Sequence, residues 1–261
     1  MEIVVLIDNI ASKPYIAQHG LSVIIKTEDK KILFDTGQDP CTLKRNLKLI
    51  GEDDNFDCIV ISHGHYDHAD GLKYFIEKGE SRPKIPIYIH PEAFVDRYIE
   101  GRYIGIDKEL KECLKRENLI LVNDKPRYER DMIVSGKVER LFPHENDPFY
   151  MVLKDGTHKI DYVNDDMFII VEDVVFTGCA HSGIINVIEY AKKINKKVRG
   201  VVGGFHLMHA SKKYIKMIYD YFSIHNFEFI MPLHCTGLYA TKILSKLNNF
   251  IYGHVGKKLI V

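Results

Sequence analysis

Residues 62–68 read Ser-His-Gly-His-Tyr-Asp-His, a His-x-His-x-Asp-His pattern that sets three imidazoles and a carboxylate within six residues. Imidazole nitrogen and carboxylate oxygen are the usual donors of hydrolytic metal sites. Side chains two residues apart on an extended segment share a face, so His63 and His65 can serve one cation while Asp67 and His68 serve a second. A cation held in this way lowers the pKa of a bound water from about 15.7 to about 7, which supplies hydroxide at neutral pH. The pattern follows the apolar run Asp57–Ser62 directly. That setting suits a positioned metal loop better than a solvated histidine-rich one.

Four more histidines sit where an apolar run ends beside small residues: His90, His181, His206 and His234. His90 precedes Pro91 and reads as the residue that starts a helix. A lone histidine in such a place is usually hydrogen-bonded and structural. A metal site in need of further donors nevertheless favours His181 and His234 as ligands, with His206 the weaker candidate. His19, His144, His158, His209, His225 and His254 lack the strand-end setting and read as surface or supporting residues. The five cysteines (41, 58, 113, 179, 235) are odd in number, scattered and without a Cys-x-x-Cys pair. They suit reduced thiols in a cytoplasm. Cys41, Cys58 and Cys113 are expected as small core residues.

The elements that must position these groups alternate. Ile3–Asp8, Leu21–Thr27 and Lys31–Asp35 read as strands, the last two joined as a hairpin through Glu28-Asp29-Lys30. Asp39-Pro40 caps and opens a helix to about Ile50. The strand Asp57–Ser62, a helix over about Gly71–Lys78, the strand Ile87–His90 and a helix Glu92–Glu100 follow. Residues 101–166 are charged and irregular and read as an elaboration on one domain spanning 1–261. Met167–Val171 and Val174–Thr177 then pair. A helix Gly183–Ile194, strand Val198–Val202, helix Lys212–His225, strand Phe227–Met231, helix Thr236–Leu247 and a closing strand near Val255–Val261 complete a layered α/β pattern. In such folds ligands collect at the carboxyl ends of strands.

Composition narrows the functional classes. Lys+Arg and Asp+Glu are 36 each, so no global basic field exists to hold nucleic acid. Aliphatic runs such as Ile3–Ile7 are too short to span a bilayer or to serve as an export signal. A small-molecule substrate, no nucleic acid, no membrane and a cytoplasmic location are expected.

The sequence also resembles a family. His63-x-His65-x-Asp67-His68 after a buried strand looks like the signature of the metallo-β-lactamase superfamily. Leu6-Ile7-Asp8-Asn9, His19-Gly20-Leu21-Ser22, Leu33-Phe34-Asp35-Thr36-Gly37, Gly178-Cys179-Ala180-His181-Ser182-Gly183-Ile184-Ile185-Asn186, Gly203-Gly204-Phe205-His206-Leu207 and His234-Cys235-Thr236-Gly237 extend the likeness. They point to the branch of 7,8-dihydropterin-6-methyl-4-(β-D-ribofuranosyl)aminobenzene-5′-phosphate synthase-like proteins. The resemblance implies a four-layer αββα sandwich with metals at one edge of its two sheets. His234 occupies the place of the last metal-binding histidine. Cys179 stands where many relatives carry a bridging Asp, and His181 is the better ligand of that turn. Asp35 is implied to lie beneath the metals and orient a ligand without binding them. The expected sets are His63, His65 and His181 for one ion, and Asp67, His68 and His234 for the other. Asp67 can also take a proton from the water, and His206 can act as an acid or phosphate donor.

The expected cofactor is one or two divalent transition-metal ions, zinc first, with manganese or iron as alternatives. The expected activity is metal-dependent hydrolysis of a small phosphorylated metabolite. Rival readings are a phosphodiesterase or nuclease, a pterin-related synthase, and a non-catalytic metal-dependent binding protein. A di-iron oxygen- or nitric-oxide-reducing enzyme would want a Glu where His65 stands.

Overall fold

The aliphatic runs at the N-terminus form the middle of a seven-stranded sheet. Its order is Lys258–Ile260, Glu2–Ile7, Ser22–Lys26, Lys31–Phe34, Cys58–Val60, Ile87–Ile89 and Leu119–Leu121. The first four strands pair antiparallel and the remaining pairings are parallel. Near-continuous burial of Val4, Leu6, Ile24, Leu33 and Ile59 matches their aliphatic sequence. The helix Pro40–Ile50 packs Leu43, Leu47 and Ile50 against this sheet's core. Asp39 caps it by accepting from Cys41 and Thr42 amides, and Gly51 ends it at φ 82°. Phe34 and Val60 are partners on adjacent parallel strands, and the Asp35 amide donates to the Val60 carbonyl at 2.8 Å. Asp35 and Ser62 therefore leave the sheet side by side.

The structure is a computed structural model that describes residues 1–76, 84–145, 149–154 and 156–261. It divides into two units: Met1–Val122 with Pro148–Asp161 and His254–Val261, and Asn123–Asp147 with Tyr162–Gly253. The seven-stranded sheet belongs to the first. So does a four-stranded antiparallel sheet in the order Thr157–Ile160, Tyr150–Lys154, Asp96–Ile99, Arg102–Tyr103.

This small sheet corrects the expected helix Glu92–Glu100. Only a 3₁₀ turn, Pro91–Phe94, forms there, with the His90 side chain as its cap, and Asp96–Ile99 is a strand. The spacing of Phe94, Val95, Tyr98 and Ile99 imitates a helical stripe, but pairing with Tyr150–Leu153 and burial of Arg97 decide the conformation. The helix expected over Gly71–Lys78 is a 3₁₀ turn, Asp70–Leu72, continuing into Lys73–Ile76; positions 77 and 78 lie outside the described residues. Residues 101–166 supply strands to all three sheets.

The second unit holds a six-stranded sheet ordered Phe229–Leu233, Gly200–Gly204, Val174–Thr177, Phe168–Val171, Ile133–Val134 and Arg127–Tyr128. Its first three strands are mutually parallel. The helices Ile184–Ile194 and Lys212–Ile224 pack Ile184, Ile188, Ile215, Ile218 and Phe222 into its core. The carboxyl ends of the three parallel strands deliver the segments bearing His181, His206 and His234.

Cys58 is buried as expected, but Cys41 and Cys113 are exposed. Each lies off the buried stripe of its helix, which runs through Leu43, Leu47 and Ile50 in one case and Leu110 and Leu114 in the other. Among the described residues no helix is long and apolar enough to cross a membrane.

Candidate metal centre

In the first unit the short strand Cys58–Val60 feeds straight into the histidine loop, and His63, His65, Asp67 and His68 are all buried. Asp35 organises them. Its Oδ1 accepts the Ser62 amide at 2.7 Å, and its Oδ2 accepts both Ser62 Oγ at 2.8 Å and His68 Nδ1 at 2.7 Å. With its single proton donated to Asp35, Ser62 Oγ must accept from His63 Nδ1, 2.9 Å away. One carboxylate thus sets two tautomers, leaving lone pairs on Nε2 of both His63 and His68. Asp35 holds φ 55°, a left-handed conformation unfavourable for a residue with a Cβ.

The atoms these lone pairs face are also donors. His63 Nε2 lies 3.0 Å from His65 Nδ1, and His68 Nε2 lies 3.6 Å from Asp67 Oδ2. Two ligands of a tetrahedral ion with bonds of about 2.1 Å stand about 3.4 Å apart, so both pairs have the spacing of neighbours in a coordination shell. Imidazole nitrogens and a carboxylate oxygen gathered at this spacing are atoms a divalent cation can bridge. The residues present fit divalent metal. Burial, reinforced by the Arg97 guanidinium, pushes the His65 pKa down to about 3, so the ring is neutral and able to ligate.

Supporting groups come from the small sheet. Arg97 is fully buried and donates from Nε to Asp161 Oδ2 at 2.7 Å, a buried pair that needs both partners. The Tyr150 ring lies 5.3 Å from that of His65. The Tyr66 amide donates to the Ile104 carbonyl at 3.1 Å, fastening the ligand loop to the segment after Arg102–Tyr103. Nothing in the spacing of residues 97, 150 and 161 signals this convergence, because strand pairing alone creates it.

In the second unit, Cys179, Ala180 and His181 follow the strand Val174–Thr177. Asp166, buried and pushed up in pKa by that burial, accepts the Ser182 amide at 2.8 Å and so anchors the turn. Asn186 accepts the Leu141 and Phe142 amides and returns a hydrogen bond to the Ser182 carbonyl. The His181 and His206 rings are 4.3 Å apart. Cys179, His206 and Cys235 bring one donor atom each within 4.8 Å of one another. The His206 amide donates to Cys235 Sγ at 3.3 Å, and Cys235 Sγ donates to the Cys179 carbonyl at 3.6 Å. Burial opposes ionisation of the Cys235 thiol, but hydrogen bonds from Cys179 and His206 and the nearby His234 hold its pKa well below the ordinary thiol range. A Cβ on Gly204 would meet the Gly178 carbonyl oxygen at 2.4 Å and Cys235 Sγ at 2.6 Å, so only glycine admits this close approach. Ala180, His206 and His234 all hold positive φ, 55°, 52° and 48°. The sequence marked Cys179 and Cys235 by the histidines within two residues of each, and His206 by its strand-end setting, but gave no reason to join the three.

This architecture is shared with known proteins. The family model of the metallo-beta-lactamase superfamily matches residues 16–161. The crystal structure of Tm1679, a metal-dependent hydrolase of the beta-lactamase superfamily, superposes with a TM-score of 0.87 at 30% identity, covering 100% of this chain and 99% of that one. The chain belongs to the metallo-β-lactamase superfamily and has its mixed α/β fold. Within it, an uncharacterized protein of Methanocaldococcus jannaschii is 50% identical over 254 residues, 97% of each chain. The same organism's 7,8-dihydropterin-6-methyl-4-(β-D-ribofuranosyl)-aminobenzene-5′-phosphate synthase is 30% identical over 269 residues, 94% of this chain and 91% of the relative. The branch resembled in sequence is thus the branch to which the chain is related.

Proposed function

We propose that the protein is a metal-dependent hydrolase of a small phosphorylated metabolite. One observation carries this reading: two pairs of buried donors, His63 Nε2 with His65 Nδ1 and Asp67 Oδ2 with His68 Nε2, stand at ligand spacing with tautomers set by Asp35. Zinc is the ion expected, with manganese or iron as alternatives. When bound, the ion supplies Lewis acidity, which acidifies water and stabilises charge on the substrate oxygen. The protein's own groups do the rest. His63, His65, Asp67 and His68 are the donors, with His181 and His234 added on their sequence setting alone. Asp35 keeps His63 and His68 in the metal-binding tautomer. Asp67 takes the proton released from water, and His206 donates to the phosphate or to the leaving group.

The balanced charge of the chain and the phosphate in the synthase relative's name support a small phosphorylated substrate over a nucleic acid. The five cysteines form no disulfide, which supports a reducing, cytoplasmic setting. A second reading, a pterin-related synthase, is favoured by 30% identity to that enzyme over 94% of the chain. The test is one assay series on zinc- and manganese-loaded protein: phosphate monoesters, diesters and diphosphates, and in parallel formation of the product for which the relative is named. Release of phosphate that stops with chelator supports the hydrolase. Product formation without any hydrolysis replaces it with the synthase, and no turnover in either arm contradicts both.

A further inference from the structure

Cys179 and Cys235 each lie within two residues of a histidine, and neither has a part in the hydrolysis proposed above. The strands before them, Val174–Thr177 and Phe229–Leu233, flank Gly200–Gly204 in the sheet of the second unit. Neighbouring strands stand about 4.8 Å apart, which puts these two about 10 Å apart, beyond the Cα separation of about 7 Å that a disulfide spans. Past the strand ends the chains converge over the glycines of the middle strand. Cys235 Sγ donates to the Cys179 carbonyl at 3.6 Å. An ideal Cβ on Gly204 would lie 2.6 Å from Cys235 Sγ and 3.3 Å from Cys179 Cα, so the missing side chain is the space that lets the thiol reach its neighbour.

The two sulfurs and a ring nitrogen of His206 lie within 4.8 Å of one another. A disulfide needs its sulfurs at about 2.05 Å, and a change of rotamer at one cysteine moves its sulfur by about 3 Å, the size of the gap to be closed. Cys235 is 8% exposed against 4% for Cys179, so a small oxidant meets Cys235 first. Cys41, Cys58 and Cys113 all belong to the first unit. The second unit holds two cysteines, and they are neighbours.

We propose that Cys179 and Cys235 are a redox-sensitive pair, joined as a disulfide when a low-molecular-weight disulfide such as oxidised glutathione is in excess over its thiol. Cys235 attacks one sulfur of the oxidant and expels the first thiol. Cys179 then attacks Cys235 Sγ in the mixed disulfide and expels the second. The cysteines give up two electrons and their two thiol protons, and the oxidant becomes two thiols. Disulfides that form transiently in a reducing compartment commonly serve as sensors. The bond ties the segment bearing His181, two residues after Cys179, to the one bearing His234, immediately before Cys235. It also removes the proton that Cys235 donates to the Cys179 carbonyl and changes the sulfur that accepts the His206 amide. Oxidation therefore weakens metal binding, a consequence that, unlike the bond itself, rests on the metal-dependent function proposed above.

The experiment equilibrates the metal-free full chain in glutathione buffers from fully reduced to fully oxidised, traps free thiols with N-ethylmaleimide and maps the peptides by mass spectrometry. In the oxidised buffers a peptide pair linked through Cys179 and Cys235 is expected, lighter by two hydrogens than the separate peptides and released by dithiothreitol. Its midpoint should not move when the protein is diluted tenfold, as an intramolecular bond requires. Cys179→Ser and Cys235→Ser should each leave the remaining cysteine of the pair carrying glutathione. Wild type in which both cysteines stay maleimide-labelled, or each carries its own glutathione, once Cys41 and Cys113 have reacted would overturn the proposal, and that reading needs no variant to fold. Zinc titration then compares reduced with linked protein, with affinity expected to fall at least about 10-fold on linking. Equal affinity overturns the coupling to the metal centre. Reduced protein that binds no zinc contradicts the metal-dependent function instead, and is told apart by the linked peptide, which forms regardless.

Discussion

Residues 62–68 hold four donors within one loop, whereas the second unit spreads His181, His206 and His234 over the ends of three parallel strands. The first arrangement is maintained by hydrogen bonds to a single buried carboxylate, Asp35, which dictates two imidazole tautomers. The second is maintained by backbone: Ala180, His206 and His234 occupy left-handed conformations that the adjoining strands and turns enforce. Side-chain chemistry tunes the first group of donors. Backbone strain aims the second, at a cost of about 1–3 kcal/mol per residue that surrounding packing must offset.

That contrast ranks the expected effects of mutation. His63→Ala removes a donor that nothing nearby replaces, and should abolish phosphate-ester turnover and lower metal affinity by more than about 100-fold. Chelator competition alongside activity checks it; retained affinity would move the centre elsewhere. Asp35→Asn keeps the shape but places an amide donor against groups that now donate, disturbing the His63 and His68 tautomers. Metal affinity or activity should fall about 10–100-fold with the fold intact by circular dichroism.

Asp166→Ala tests the other region. It leaves the buried Ser182 amide without its acceptor and should cost about 1–3 kcal/mol of stability, read by urea denaturation of metal-free protein. Metal-free Asp35→Asn should instead show a smaller stability loss than its effect on metal binding implies. If the two variants behave alike, the distinction between chemically tuned and backbone-aimed donors fails.

The smallest effect concerns the fold away from either group. Glu52 is desolvated, yet hydrogen bonds from Lys26 and Lys31 outweigh this and hold its carboxyl below the usual range. A carboxylate with a depressed folded pKa contributes stability above its unfolded pKa, and that contribution fades as pH falls through the folded value. Glu52→Gln should therefore cost about 1 kcal/mol at pH 7 and flatten the loss of stability below about pH 4. Denaturation midpoints measured from pH 3 to 7 decide it, and an unchanged pH slope would discount the Glu52 network.

The same contrast explains what the sequence could reveal. The His63–His68 loop was legible because its donors are consecutive, and the strands flanking it because their aliphatic runs are unbroken. The Asp39-Pro40 helix start was legible through its capping chemistry. Residues 92–100 misled because Phe94, Val95, Tyr98 and Ile99 carry a helical spacing, while pairing with a strand more than 50 positions away decides the structure. Asp161 and Asp166 were not legible as supporting residues for the same reason: each reaches its place through the path of the chain, and neighbouring residues carry no trace of it.

The central claim is that His63 Nε2, its lone pair set by Asp35 through Ser62, shares an ion with His65 Nδ1. A crystal of zinc-loaded protein, with data collected on both sides of the zinc absorption edge, tests it most directly. The account predicts an anomalous peak about 2.0–2.1 Å from both of those nitrogens, with His63 Nδ1 still hydrogen-bonded to Ser62. No peak there, or one bound instead through His63 Nδ1, would contradict it.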